Sequence, residues 1–105
     1  GDVYKRQARC VELYAEAIEK LKADDDQNVH DFLARRLYDM TAEIIMSLLI
    51  CIDASKAPEL FEKSANVYVR MAEEDVIGKA AYIKAFKAED LKNFVAEETT
   101  EETEA

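Results

Sequence analysis

The stretch DFLARRLYDMTAEIIMSLLICID, residues 31–53, decides the fold of this chain. Its first half places apolar residues on one side of a helix, and its second half, residues 44–52, is almost continuously apolar. This apolar run is too short to cross a bilayer, which takes about 20 apolar residues. A helix that is apolar on nearly all sides is typical of one covered by several neighbours. We therefore expect this segment to form the centre of a helical packing unit.

Composition favours a single small domain made of helices. The chain has 105 residues, of which 50% are hydrophobic, with only two glycines and one proline to interrupt long helices. The net charge of −9 excludes the basic surface that nucleic-acid binding needs and disfavours an anionic lipid surface. Five of the acidic residues lie in 97–105, so the remainder carries −9 + 5 = −4, which is ordinary for a soluble domain.

The apolar pattern predicts an all-α fold, an antiparallel up-down bundle of three long helices plus a short C-terminal helix. We expect the helices at residues 4–23, 29–55, 58–86 and 88–96, within a bundle domain spanning 8–96. The loops between the long helices are short, which makes neighbouring helices antiparallel. Asp26 or Asn28 is expected to cap the second helix, and Pro58 suits the first turn of the third.

Each long helix carries apolar stripes at spacings of three and four residues, and these predict the core. The predicted stripes are Cys10, Tyr14, Ala17 and Leu21 with Val11 and Ile18; Leu33, Leu37, Met40, Ile44, Leu48 and Cys51 with Phe32, Ile45, Leu49 and Ile52; and Phe61, Ala65, Tyr68, Ala72, Val76, Ala80 and Ile83 with Leu60, Val67 and Met71. On the outer side of the first helix, Glu16 and Lys20 are expected to pair. Gly78 inside the third helix indicates a close packing contact or a slight bend.

The two ends are predicted to lie outside the bundle. GDVYKRQ, residues 1–7, has neither an initiator Met nor an apolar period, so we predict a non-native or disordered leader on what is a fragment of a longer protein. EETTEETEA, residues 97–105, is predicted to be a disordered acidic tail, because it has almost no apolar surface to bury. No secretory signal is present, which favours the cytoplasm with Cys10 and Cys51 as buried free thiols.

The residues offer no catalytic, cofactor-binding or metal-binding set. The lone His30 lies at a helix start and lacks catalytic partners, so a cap or surface role is expected. Glu43 and Asp75 are placed to face inward, but a di-metal bundle site wants Glu-x-x-His pairs that this chain does not have. The two cysteines lack C-x-x-C spacing, and there is no Gly-rich phosphate loop. Arg35 and Arg36 are expected on a solvated face near Asp39.

Residues 13–94 resemble the extreme C-terminal helical domain of bacterial acyl-CoA dehydrogenases. The similarity is strongest in DFLARRLYDMTAEIIMSLLICIDA (31–54), PELFEKSANVYVR (58–70) and YIKAFKAEDL (82–91). In that family FAD, the acyl-CoA thioester and the catalytic Glu belong to parts upstream of this domain, so no active-site residue carries over to a position here. The resemblance implies a non-catalytic domain, without its own FAD, that packs on the catalytic body or at a subunit interface of an enzyme that oxidises fatty acyl-CoA.

Two other functions remain open at this point. One is a freestanding helical interaction module or a homodimer, whose apolar stripes would close against a partner or a second copy. A weaker alternative is a small ligand-binding bundle in which residues 44–52 and Met71 line an acyl-sized cavity. In all three cases the partner is protein or a small apolar ligand, with no role for nucleic acid or membrane.

Overall fold

The computed structural model describes residues 2–93, and these are helical apart from short connections. Helix α1 spans Asp2–Ala23, α2 spans Gln27–Lys56 and α3 spans Pro58–Ala85. A fourth helix, α4, begins at residue 88 and is described to residue 93. No strand occurs within this range, so the predicted all-α class with three long helices and a short one is confirmed.

Contacts between the helices establish the up-down arrangement. The hydroxyl groups of Tyr14 in α1 and Thr41 in α2 hydrogen-bond at 2.7 Å. Because the end of α1 also meets the start of α2, these two helices are antiparallel. In the next pair, the rings of Phe32 in α2 and Phe86 after α3 stack with their centroids 5.1 Å apart. Helix α2 is therefore antiparallel to α3, and α3 runs parallel to α1.

The core lies where all three long helices meet. It is built from α1, the first half of α2, the second half of α3 and the residue that follows α3. The core residues are Cys10, Ala17, Leu21, Val29, Leu33, Met40, Val76, Ala80, Ile83 and Phe86. Burial of these side chains is the main stabilising term, worth roughly 25 cal/mol for each Å² of apolar surface removed from water. The second half of α2 and the first half of α3 form a hairpin that shares much less of this core.

Local sequence explains where the helices begin and end. The carboxylate of Asp26 accepts the backbone N–H of Asn28 at 2.9 Å, which confirms Asp26 as the cap of α2. Pro58 opens α3, where its missing N–H costs no helical hydrogen bond. The backbone N–H of Ala57 donates to the carbonyl of Asp53 at 2.9 Å and so closes α2.

Several expectations from the sequence need correction. Residues 2–7 form the first turns of α1, so this part of the predicted leader is helical and not disordered. The acidic tail at 97–105 and the end of the short helix, 94–96, lie outside the described residues. Glu16 does not pair with Lys20: Glu16 contacts Lys84 in α3, and the Lys20 ammonium donates to the carbonyl of Phe86 at 2.9 Å.

The predicted close contact at Gly78 is also absent. A Cβ added at Gly78 would meet no heavy atom within 4 Å, so the residue is not required by packing.

Candidate functional site

The lone histidine has a structural position between two helices. His30 Nε2 lies 2.7 Å from the carbonyl oxygen of Leu21 and 2.6 Å from that of Asp24. Both oxygens are acceptors, so Nε2 carries the proton and donates it to the end of α1. Of the two expected roles, cap or surface, the structure therefore shows a cap, and His30 caps the preceding helix from inside the first turn of α2.

A cluster of charged groups lies between α2 and α3. Glu43 faces Asp75 across the two helices, and the Lys79 ammonium contacts Asp75 Oδ2 at 2.5 Å. Burial, the hydrogen bond with Asp75 and its negative charge raise the pKa of Glu43 from 4.5 to about 7. The hydrogen bond with Glu43 lowers the pKa of Asp75, and Lys79 lowers it further. Below about pH 7 the pair therefore holds one proton, mainly on Glu43.

Two buried polar atoms, one in this cluster and one next to it, have no hydrogen-bond partner. They are Glu43 Oε2 and Ser47 Oγ, one helical turn apart on α2, and Ser47 is 0% exposed. An unpaired buried hydroxyl costs free energy relative to an alanine at the same place. The sequence predicted that Glu43 and Asp75 face inward, but it gave no signal for Ser47, because a serine in a helix usually bonds to its own backbone.

The cluster does not form a metal site. Among residues 2–93 no group of three or more His, Cys, Asp or Glu side chains is arranged to hold an ion. Lys79 already neutralises Asp75, and a protonated Glu43 is a poor metal ligand.

The two cysteines are free and buried, as predicted. Burial and the nearby carboxylates of Glu73 and Glu43 raise the pKa of Cys10 to about 11, and burial also raises the pKa of Cys51. Since the thiolate is the reactive form, neither side chain is a nucleophile at neutral pH.

The starts of α2 and α3 do not suit the FAD that the resemblance implies for a parent enzyme. In proteins the diphosphate of FAD is held by helix N-termini or by basic side chains. The start of α2 is surrounded by Asp24, Asp25 and Asp26, which repel phosphate, and α3 begins with Pro58 and Glu59. We therefore derive no flavin chemistry from these residues.

An apolar groove lies on the side of the α2–α3 hairpin where no α1 residue contributes to its lining. We call it the groove face, and it has a volume of about 510 Å³. It is lined by Met46 and Ile50 from α2 and, from α3, by Lys63, Ser64, Val67, Tyr68 and Met71. Val67 is 72% exposed and Met71 is 56% exposed, so the groove is open to solvent. Residues of the 44–52 run and Met71 do share this surface, as the ligand-binding alternative predicted, but they line no closed cavity.

A second apolar surface lies on the outside of α2. We call it the outer stripe: Ile45, Leu48, Leu49 and Ile52 are 51%, 48%, 50% and 40% exposed. The sequence pattern placed these four residues in the core, and the structure shows that this prediction was wrong for the isolated chain. The pattern correctly identified an apolar helix, but periodicity does not tell whether a neighbouring helix is present to cover it.

The basic pair Arg35–Arg36 is divided between two environments. Arg35 is exposed, whereas the Arg36 guanidinium lies 3.8 Å above the centre of the Tyr82 ring. This cation–π contact joins α2 to α3 and leaves Arg36 less available to bind an anion. The expected solvated face with Asp39 therefore describes Arg35 better than Arg36.

Comparison with known proteins supplies one match. The family model described as "Acyl-CoA dehydrogenase C terminal" matches residues 2–91, which is nearly the whole described structure. No curated protein and no solved structure gave a match. Within the described residues, no helix is long and apolar enough to span a membrane.

Proposed function

Since the chain belongs to the acyl-CoA dehydrogenase C-terminal family, we propose that it is a non-catalytic helical domain that packs through its groove face on the catalytic body of an FAD-dependent enzyme. The enzyme would oxidise fatty acyl-CoA, as the family name implies, and the FAD and the acyl-CoA site would belong to that body. The domain would then act by contact, either on the body of its own subunit or at the boundary between subunits. As for its family, we propose a cytoplasmic location.

The exposed groove face is the observation that carries this proposal. Monomeric soluble proteins rarely leave large contiguous apolar surfaces in water, and such surfaces mark protein interfaces. Val67, Met71 and Met46 expose more than half of their surface on neighbouring helices. The methionines suit an irregular partner surface, because their side chains are flexible and polarisable.

The charges around the groove face are also compatible with docking. Between residues 45 and 71 the three acidic residues, Asp53, Glu59 and Glu62, are balanced by three basic residues, Lys56, Lys63 and Arg70. This half of the hairpin is electrically neutral in a chain whose net charge is −9. A partner can therefore approach it without general electrostatic repulsion.

Site-specific photo-crosslinking tests the proposal. A photoreactive amino acid replaces Val67 in the complete gene product, expressed in the organism that encodes it, and crosslinked peptides are identified by mass spectrometry. We expect peptides from a flavin-binding acyl-CoA dehydrogenase body. The control carries the same group at Tyr38, which is 73% exposed but lies outside the groove. Crosslinks that are equal at both positions, or that join only the helices of this domain, would contradict the proposal.

A spectroscopic measurement tests the non-catalytic assignment separately. The purified 105-residue chain is expected to show no flavin absorbance and no acyl-CoA oxidation when FAD is added. Stoichiometric bound flavin would place a cofactor site within this chain and overturn the assignment.

A further inference from the structure

We propose that the groove face receives a helix of the catalytic body, and that this helix carries a carboxylate that binds Lys63 and Ser64. This rests on the proposed function, in which the body covers the groove face, and it specifies the chemistry of the body surface. The apolar lining of the groove holds the apolar side chains of the incoming helix, and the two polar residues of α3 hold its charge.

The polar side chains that line the groove face are all hydrogen-bond donors. They are the ammonium of Lys63 and the hydroxyl groups of Ser64 and Tyr68, and none of the described residues that line the groove is acidic. A partner that fills the groove therefore has to offer acceptors to these groups. A carboxylate does so best, because its two oxygens can accept from an ammonium and a hydroxyl at the same time, and its charge strengthens both bonds.

The Lys63 side chain is available for such a contact. The residue is exposed, and among residues 2–93 no ion pair or side-chain hydrogen bond involves its ammonium. Glu59 precedes it by four positions on α3, a spacing that allows pairing, yet the two side chains form no ion pair in the part of the chain that the structure describes. A cation without a carboxylate of its own chain, placed at an apolar groove, favours an acidic partner.

The charges of the hairpin are distributed unevenly around the groove. None of the acidic residues between positions 45 and 71 lines it. Arg70 lies about two helical turns beyond Lys63 and lines a smaller hollow that shares Val67 and Met71 with the groove. Glu74 lines the far end of this hollow and forms no ion pair with Arg70 among the described residues. A second carboxylate, two turns along the incoming helix, would therefore meet Arg70.

A helix is the segment that suits this groove. Helices α2 and α3 use their backbone N–H and C=O groups internally, so an extended segment would find no backbone partners between them. A helix satisfies its own backbone groups and can bury one apolar face in a groove. From Lys63 to Met71 the groove spans roughly 12 Å at about 1.5 Å per residue, which accommodates about two turns of an incoming helix.

Carbodiimide crosslinking of the complete gene product tests the carboxylate contact directly. The reagent joins an amine to a carboxylate that touches it and leaves no spacer, and mass spectrometry identifies the joined peptides. We expect Lys63 to be joined to an Asp or Glu in a helix of the catalytic body. Lys56, which is exposed at the end of α2 and does not line the groove, is the control and should not be joined to that helix. Lys63 joined only to acidic residues of its own helix would overturn the proposal.

Charge reversal tests whether this contact contributes to docking. With the photoreactive group at Val67, Lys63→Glu should lower the yield of crosslinks to the body by more than about threefold, because two negative charges then meet. Lys63→Arg keeps the positive charge and should retain the yield. Lys56→Glu controls for an added negative charge outside the groove and should also retain it. Equal yields in the wild type and in Lys63→Glu would contradict a contribution of the carboxylate.

The two proposals fail in distinguishable ways. Photo-crosslinks from Val67 to the catalytic body, without any carbodiimide product between Lys63 and the body, would reject the carboxylate contact and leave the proposed function standing. Absence of photo-crosslinks from Val67 to the body would reject both.

Discussion

The imidazole of His30 is joined to the carbonyl oxygen of Leu21 by a 2.7 Å contact from Nε2, which connects the start of α2 to the end of α1. The same nitrogen lies 2.6 Å from the carbonyl of Asp24 in the connecting loop. The last carbonyls of a helix have no partner within the helix, so an external donor stabilises the helix end. Lys20 extends this connection by donating to the carbonyl of Phe86 at 2.9 Å.

Replacing His30 should therefore destabilise the bundle although it disturbs no chemistry. We expect His30→Ala to lower the free energy of unfolding by about 1–2 kcal/mol, because the half-buried carbonyls lose their donor. Urea unfolding followed by circular dichroism measures the change. Arg35→Ala, at an exposed position of the same helix, is the control and should alter stability by less than about 0.5 kcal/mol. An equally small effect of His30→Ala would show that the loop holds the helix end without the imidazole.

The unpaired hydroxyl of Ser47 predicts an unusual gain of stability on removing a polar group. Ser47→Ala should raise the free energy of unfolding by about 1–2 kcal/mol, since alanine leaves no unpaired group and favours the helix. Ser64→Ala, at an exposed position of α3, isolates the helix-propensity contribution and should give a few tenths of a kcal/mol. A loss of stability in Ser47→Ala would mean that the hydroxyl is hydrogen-bonded in solution.

The sequence predicted the helices well because each long helix carries its own local signals. Apolar spacing, the Asp26 cap and Pro58 are properties of neighbouring residues, and they placed the helix ends within a few positions. The surroundings of Leu48 could not be predicted in the same way. Its apolar neighbours along the helix are known from sequence, but its 48% exposure depends on how far α1 reaches along α2.

The charged cluster between α2 and α3 likewise combines contacts that the sequence predicts with contacts that it does not. Its i,i+4 pair, Asp75 and Lys79, is visible in the sequence as a helical spacing. Glu43 faces this pair because of the register between α2 and α3. The hydrophobic pattern alone does not determine that register. For His30 the sequence left a cap or a surface role open, because its partners Leu21 and Asp24 are set by the path of the loop.

Gly78 provides a test of the corrected interpretation of α3. The absence of any atom within 4 Å of an added Cβ predicts that Gly78→Ala raises the free energy of unfolding by about 1 kcal/mol, because alanine restricts the unfolded chain and favours the helix. Thermal and urea unfolding both measure this. Ala81→Gly is the inverse control at an exposed position in the same helix and should cost about the same amount. Destabilisation by Gly78→Ala would instead point to a partner that packs closely against this glycine.

The shared proton of the Glu43–Asp75 pair predicts how stability depends on pH. The pKa of Glu43 is raised from 4.5 to about 7, so between these values the folded chain keeps a proton that the unfolded chain has lost. Folding stability must then fall as pH rises from about 4.5 to 7 and change no further above that range on account of Glu43. The titratable groups around Glu43 are Asp39 on α2, Asp75, Lys79 and the earlier Tyr68 on α3, and Cys10 on α1.

Glu43→Gln should remove this fall, because the amide is neutral at every pH. Relative to the wild type, the variant is expected to have nearly the same free energy of unfolding below pH 4.5 and to be more stable above pH 7, by on the order of 2 kcal/mol after allowance for solvent screening. Urea unfolding across this range measures the difference, with Glu12→Gln as the control for an exposed carboxyl group on α1. Because Asp75 has a lowered pKa, its own contribution runs in the opposite direction and is lost in acid, below the Glu43 range. A constant difference between Glu43→Gln and the wild type at all pH values would mean that the pKa of Glu43 is not raised in the folded chain.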